Sequence, residues 1–198
     1  MSDRQTLRAL AGLPLAPASL AESALVLIDC QNTYTRGVME LEGVQAALDE
    51  AATLLDRART AGIPVIHIQH DDGPGSLYDI AGESGAIVER VAPRDGEPVV
   101  VKNYPNSFVN TELDGILKSV DASNLVLAGF MTHMCVNSTA RGAFNLGYAP
   151  TVVAAATATR ALPGVEGEVP AAAVHSASLA AVADLFAVVV PGEKDIPG

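Results

Sequence analysis

The sequence predicts an α/β protein: a three-layer α/β/α arrangement around a doubly wound, mostly parallel sheet of six strands. Three observations carry this. Six short apolar runs are rich in β-branched residues and bounded by turn residues, as strands covered on both faces are. Between them lie stretches whose apolar residues recur every three or four positions, the period of an amphipathic helix. The length, 198 residues, suits a single domain with a sizeable core, so residues 1–198 are read as one unit with 1–23 as an N-terminal arm.

The elements follow in order. Residues 24–28 (ALVLI) and 64–68 (PVIHI) read as the first two strands, and 98–101 (PVVV) as the third. Residues 125–128, 151–154 and 187–190 complete the six, a usual sheet size. From Val44, the residues Ala47, Leu48, Ala51, Leu54, Leu55 and Ala58 mark one helix face, which ends at Gly62 with Pro64 beyond. A second helix is expected over 135–146, stopped by Gly147, and a third over 170–185 with Pro170 in its first turn. Residues 70–97, rich in Gly, Asp and Pro, form a long loop with a short helix around 86–91, and a loop of that length is usually functional or a lid.

Composition narrows the function. With 12 basic and 23 acidic residues the net charge is −11, and no run of Lys or Arg exists to hold a phosphate backbone, so nucleic acid is not an expected partner. No apolar run reaches the ~18 residues of a membrane span, so no membrane partner is expected either. The stretch 8–21 imitates a signal peptide, but Asp3 offsets its basic start and Pro14 and Pro17 interrupt it; it is read as an arm or short helix. Cys30 and Cys135 form neither a disulfide framework nor a zinc set, which points to a reducing cytoplasm. Aromatics are scarce, four Tyr, four Phe and no Trp against 33 Ala, so their positions are informative. Tyr34, Tyr104, Phe108 and Phe130 cluster near the reactive residues, and the predicted strands carry none.

In an open parallel sheet, ligands bind beyond the carboxyl ends of the strands. Three reactive side chains are placed there: Asp29 after the first strand, Lys102 after the third, and Cys135 at the mouth of a helix after the fourth. Each alone has a plainer use: a local hydrogen-bonding carboxylate, a solvated lysine, an inert buried thiol. Together they make a mechanism. A thiol at a helix N-terminus beside a lysine is expected to have its pKa lowered, and Asp29 to take its proton. Cys30, pointing away from Asp29 along a strand, is read as structural.

Three motifs then resemble the isochorismatase-like cysteine hydrolases: LIDCQNTY after the first strand, VKNYPNSF in the middle, and GFMTHMCVNSTARGA opening a helix, over residues 24 to 190. The resemblance implies Cys135 as nucleophile, Asp29 as general base and Lys102 as the third catalytic member. It further implies a cis peptide between Phe130 and Met131, and an oxyanion hole made by the backbone N–H groups of Met131 and Cys135. The implied reaction is hydrolysis of an amide-type C–N bond through a thioester, without a cofactor. Two alternatives stay open: vinyl ether hydrolysis by Asp29 acid catalysis, which resembling members perform without the cysteine, and a non-catalytic binding protein on the same fold. Tyr34, Tyr104, Phe108 and His133 are candidate substrate contacts. His175 is read as structural or at a subunit contact, and Gln31 and Asn32 as ties of the rim loop. Resembling nicotinamidases hold a metal through an Asp-x-His pattern. Here the segment reads HIQHDD, and His67 and His70 face opposite sides of an extended strand, so no metal is expected. Such enzymes are oligomers, implying a homodimer or homotetramer.

Overall fold

The computed structural model describes residues 4–198; Asp3 lies outside the described residues. In chain order the elements are α1 (Leu7–Leu10), β1 (Ser23–Ile28), α2 (Val44–Ala61), β2 (Val65–His70), β3 (Val99–Lys102), α3 (Leu113–Ser119), β4 (Asn124–Phe130), a π-helical turn (Thr132–Val136), α4 (Asn137–Asn145), β5 (Ala149–Ala158), a hairpin of β6 (Leu162–Gly164) and β7 (Gly167–Val169), α5 (Ala171–Ala183) and β8 (Val188–Val190). The main sheet runs β3-β2-β1-β4-β5-β8, with every pair parallel. The strand order reverses between β1 and β4, which opens a crevice at their carboxyl ends.

Alternation along the strands builds two cores. On one face Leu25 and Leu27 of β1 and Val126 and Ala128 of β4 meet Leu48, Ala51, Leu54 and Leu55 of α2. On the other, Val26, Ile28, Ile66, Ile68 and Leu127 meet Leu113 and Leu117 of α3, Ala140 and Ala143 of α4, and Val182 of α5. Each fully buried Leu or Ile contributes about 1.5–3 kcal/mol of apolar burial, and alanines on the helices let the layers approach closely. Helix α2 stops where Gly62 takes a left-handed φ of 69°. Near the N-terminus, α1 docks on the end of α5: Arg8 is buried, its Nε donating to Pro14 O at 2.6 Å and its Nη1 to Leu185 O at 3.0 Å.

Several expectations need correction. The third strand is an edge strand: Val99 and Val101 are exposed, while Val100 and Lys102 point inward. Its apolar run therefore reflects β-propensity and not cover on both faces. The helix expected from residue 135 starts earlier, as the π-helical turn over Thr132–Val136 followed by α4, so Cys135 lies inside that turn. Phe130 ends β4, so the strands do carry one aromatic close to the crevice. Strand β5 is longer than expected because its pairing with β4 shifts register between Leu127 and Gly129, which brings Thr157 and Ala158 alongside Gly129 and Phe130. The expected helix around 86–91 is one 3₁₀ turn, Glu89–Val91. Helix α3 and the β6/β7 hairpin were not anticipated.

Candidate active site

Strand β1 delivers Asp29. Its backbone N–H still donates to Ile68 O at 3.0 Å, as though the strand continued, but its φ of 48° turns the chain out of the sheet. Aspartate tolerates that conformation better than most residues. Gly129 of β4 makes room for the turn: its φ is 116°, and a Cβ there would stand 2.0 Å from Ile28 O. Two residues on, the fully buried Gln31 clamps the neighbouring segments. Its Nε2 donates to His70 O and Gly85 O, both at 2.8 Å, and its Oε1 accepts from His70 N at 2.9 Å. Asn32 Nδ2 similarly donates to Glu83 O.

Lys102 comes from the edge strand β3, two strands away from β1, and its stem reaches over the end of β2. The Nζ lies 2.7 Å from Asp29 Oδ2, and it donates to His70 Nδ1 at 3.0 Å and to Cys135 Sγ at 3.4 Å. Cys135 stands in the π-helical turn, where Met131 O accepts from Met134 N and, across five residues, from Val136 N. Such turns widen a helix locally and occur often at functional sites. The preceding Phe130–Met131 peptide bond is cis.

All three side chains are inside the protein: Asp29 is 0% exposed, Lys102 1% and Cys135 5%. Burial pushes the Asp29 carboxyl up, against the pull of the Lys102 ammonium. Burial also pushes the Cys135 thiol up, and the Asp29 charge pushes it further, outweighing Lys102. A lowered thiol pKa was expected; desolvation and the neighbouring carboxylate reverse it. At rest the thiol is therefore neutral, beside the 2.7 Å salt-bridge contact of Asp29 Oδ2 with the Lys102 ammonium. Neither carboxylate oxygen receives an aligned hydrogen bond, since Nζ approaches Oδ2 obliquely, so Asp29 retains acceptor capacity within a dry site.

The model of the isochorismatase domain matches residues 23–194. The chain belongs to the isochorismatase family. It is 34% identical over 190 residues to the secreted isochorismatase effector Isc1 of Verticillium dahliae, covering 96% of this chain and 97% of that protein. It is 31% identical over 176 residues to the ureidoacrylate amidohydrolase RutB of Azorhizobium caulinodans, covering 69% and 78%. Among solved structures, an isochorismatase from Pseudomonas putida superposes with a TM-score of 0.92 at 38% identity, covering 95% of this chain and 97% of that one. This isochorismatase-family protein is a hydrolase.

In this hydrolase the other candidates separate. Tyr34 is buried, edge-on to Phe130 and to Tyr78 at 5.8 Å each, and its hydroxyl donates to that of Tyr78 at 3.3 Å. Burial and then the nearby Asp29 charge raise its pKa. Phe108, expected at the substrate, instead stacks on Tyr148 at 5.7 Å, just before β5 begins, and so packs toward the amino ends of the strands and away from the crevice; Tyr104 is half exposed in the loop after β3. His133 meets Thr159 Oγ1 at 2.6 Å through Nδ1, and burial lowers its pKa, with Arg160 adding to the effect. His175 Nδ1 lies 3.0 Å from Thr132 Oγ1 and so fastens α5 to the π-helical turn. Cys30 packs in the α2-side core, away from Cys135.

The two histidines of β2 part as the strand period requires. His67 turns to the α2 side, where its Nε2 lies 3.0 Å from Glu97 Oε2, itself gripped by Arg59. His70 turns to Lys102. Among the described residues no group of three or more His, Cys, Asp or Glu is arranged to hold a metal. Two members of the site were not among the candidates named from sequence: His70, considered there as a metal ligand, and Tyr78, edge-on to the His70 ring at 4.9 Å. His70 was weighed against an Asp-x-His metal pattern that HIQHDD does not match, and Tyr78 lies in the long loop, where no local signal marks it.

Proposed function

We propose that this hydrolase cleaves an amide-type C–N bond of a small molecule by nucleophilic catalysis at Cys135. The supporting observation is that one buried ammonium contacts both a carboxylate and a thiol, so a proton can pass between the two acids while the charge beside it stays compensated. The name of RutB, an amidohydrolase, supports the bond class.

The steps follow from the resting charges. Asp29 takes the thiol proton as Sγ adds to the carbonyl carbon, and the resulting alkoxide is held by the Met131 and Cys135 N–H groups. Asp29 returns the proton to the leaving nitrogen, the C–N bond breaks, and the amine departs from a thioester. Water then gives a proton to Asp29 and adds to the thioester; the carboxylic acid leaves and Sγ recovers the proton. Tyr34 and Tyr78 wall the acyl group, with Tyr104 and His133 as rim contacts. A cytoplasmic setting belongs to the same proposal, supported by two free cysteines. So does a homodimer or homotetramer, supported by α5, an Ala-rich helix that leaves Ala172, Ala173, Ala177, Ala180 and Ala181 exposed along one side.

The test is ammonia or amine release from a panel of small amides, ureides and lactams. Cys135→Ala should abolish it. Turnover retained in Cys135→Ala would overturn the thioester route and favour acid catalysis by Asp29 on an ether.

A further inference from the structure

Lys102 has three N–H donors and no acceptor capacity. In the buried site three groups face it: Asp29 Oδ2 at 2.7 Å, His70 Nδ1 at 3.0 Å and Cys135 Sγ at 3.4 Å. The first and last belong to the proposed chemistry. The second does not, and the fold takes trouble over it.

His70 is the last residue of β2 and the register partner of Lys102 on β3, so the two side chains leave the sheet next to each other. Its backbone is pinned on both sides by Gln31. Its Nε2 lies 3.0 Å from Asp72 Oδ1, and Tyr78 covers the ring edge-on. A carboxylate at Nε2 holds the proton there, which leaves the Nδ1 lone pair to receive Lys102. The ammonium therefore cannot rotate freely on its stem: it is in ionic contact with Asp29 on one side, and with one N–H received by the His70 lone pair, another is directed at the sulfur.

We propose that His70, oriented by Asp72, is a positioning residue that aims the Lys102 ammonium at Cys135 and so sets the reactivity of the thiol. This rests on the reading of Cys135 as nucleophile. It assigns to the HIQHDD segment a role in orienting a lysine. The groups that titrate or carry charge around this chain are Asp29 on β1, Lys102 on β3, Asp72 and Tyr78 on the loop, Tyr34 after β1, and Cys135 itself. Asp72 is half exposed, so the chain of contacts opens to water at that end.

The test is the pH–rate profile of Cys135 alkylation by iodoacetamide, itself a small amide, read by mass spectrometry in the full-length protein. His70→Leu removes the acceptor and should slow Cys135 alkylation about tenfold at neutral pH and move the profile to higher pH. His70→Asn places Oδ1 where Nδ1 stood and should restore the rate to within about threefold of the parent. Asp72→Ala, at an exposed position that does not threaten folding, should shift the profile the same way by a smaller factor. With an amide substrate in hand, His70→Leu should lower kcat and leave KM nearly unchanged. Equal rates in His70→Leu and His70→Asn, or a profile that moves in neither His70→Leu nor Asp72→Ala, would overturn the proposal. Failure of the amide reading shows separately, as turnover in Cys135→Ala, because alkylation needs no substrate.

Discussion

Replacing Asp29 with Asn while leaving Lys102 in place strands an ammonium in the interior. Both side chains are fully buried and stand 2.7 Å apart, so the charge of each is balanced almost entirely by the other. Removing one member of such a pair typically costs about 3–5 kcal/mol, most of it the desolvation of the survivor. For a chain of this size that corresponds to a fall in Tm of about 10 °C. The informative comparison is with the double variant Asp29→Asn/Lys102→Met, which has no charge left to strand. It should recover at least half of the lost stability, because exchanging a whole buried pair for neutral groups of similar volume is often close to neutral. Urea unfolding followed by circular dichroism measures all three proteins, and folding of the double variant alone would itself be a positive result if Asp29→Asn fails to fold. Both variants should lose turnover by about a thousandfold or more, since both lack the base. A double variant no more stable than Asp29→Asn would refute the resting charge state on which the mechanism is built.

Four further outcomes are expected. Glu97, held by Arg59 and His67, has its carboxyl pulled down from 4.5 to about 2, chiefly by the Arg59 hydrogen bonds, which corresponds to about 3 kcal/mol. A depressed carboxyl stabilises the fold fully above its unfolded value and ceases to do so as the pH falls through about 2; the stability gap between the parent and Glu97→Gln should be flat near neutrality and close on acidification, and a gap that widens with acid would contradict this. Gly129→Ala should destabilise by at least about 3 kcal/mol and reduce turnover, because the new Cβ meets Ile28 O at 2.0 Å beside Asp29; an unchanged urea midpoint would rule out that close approach. Cys30→Ala should leave amide turnover intact and cost about 1 kcal/mol in the core, so lost activity with retained stability would reassign the nucleophile. Lys102→Arg keeps the charge but replaces three diverging donors with a planar fork, and should lower turnover about a hundredfold; near-parental turnover would show that charge alone suffices.

Much of this was legible in the sequence, for a physical reason. Strands covered on both faces are written as continuous β-branched runs, and chemistry in a doubly wound sheet gathers where those runs end, so Asp29, Lys102 and Cys135 could be named together. The period of a strand likewise separated His67 from His70. What stayed hidden depends on neighbours distant in the chain. Whether the run at 99–102 is covered follows from strand order, which no local pattern encodes. Helix α3 has seven residues with Gly115 inside, too short for a clear period. Tyr78 reaches the site because Gln31 holds Gly85 and His70 at once, a clamp across more than fifty residues of sequence. The sign of the Cys135 shift needed the site itself, since a helix start and a lysine were visible from the motif while burial and the Asp29 charge were not.

That sign changes what the lysine is for. Had the thiol been ionised at rest, Lys102 would serve to hold a preformed thiolate. In the proposed mechanism, with a neutral thiol, the negative charge sits on Asp29 before attack, passes to the alkoxide after it, and returns through the leaving-group step. Burial forbids water from following that charge. A cation already in ionic contact with the carboxylate and donating to the sulfur would compensate it throughout, at fixed total charge and with little reorganisation, which is the condition under which buried dipoles and charges lower a barrier most. In a protein with a net charge of −11, solvent-exposed lysines could be drawn toward many surface carboxylates. An ammonium sealed beneath the carboxyl rim of the sheet, donating to His70 and Cys135 and in ionic contact with Asp29, has no such competition, and its position is set by β1, β2, β3 and the π-helical turn together.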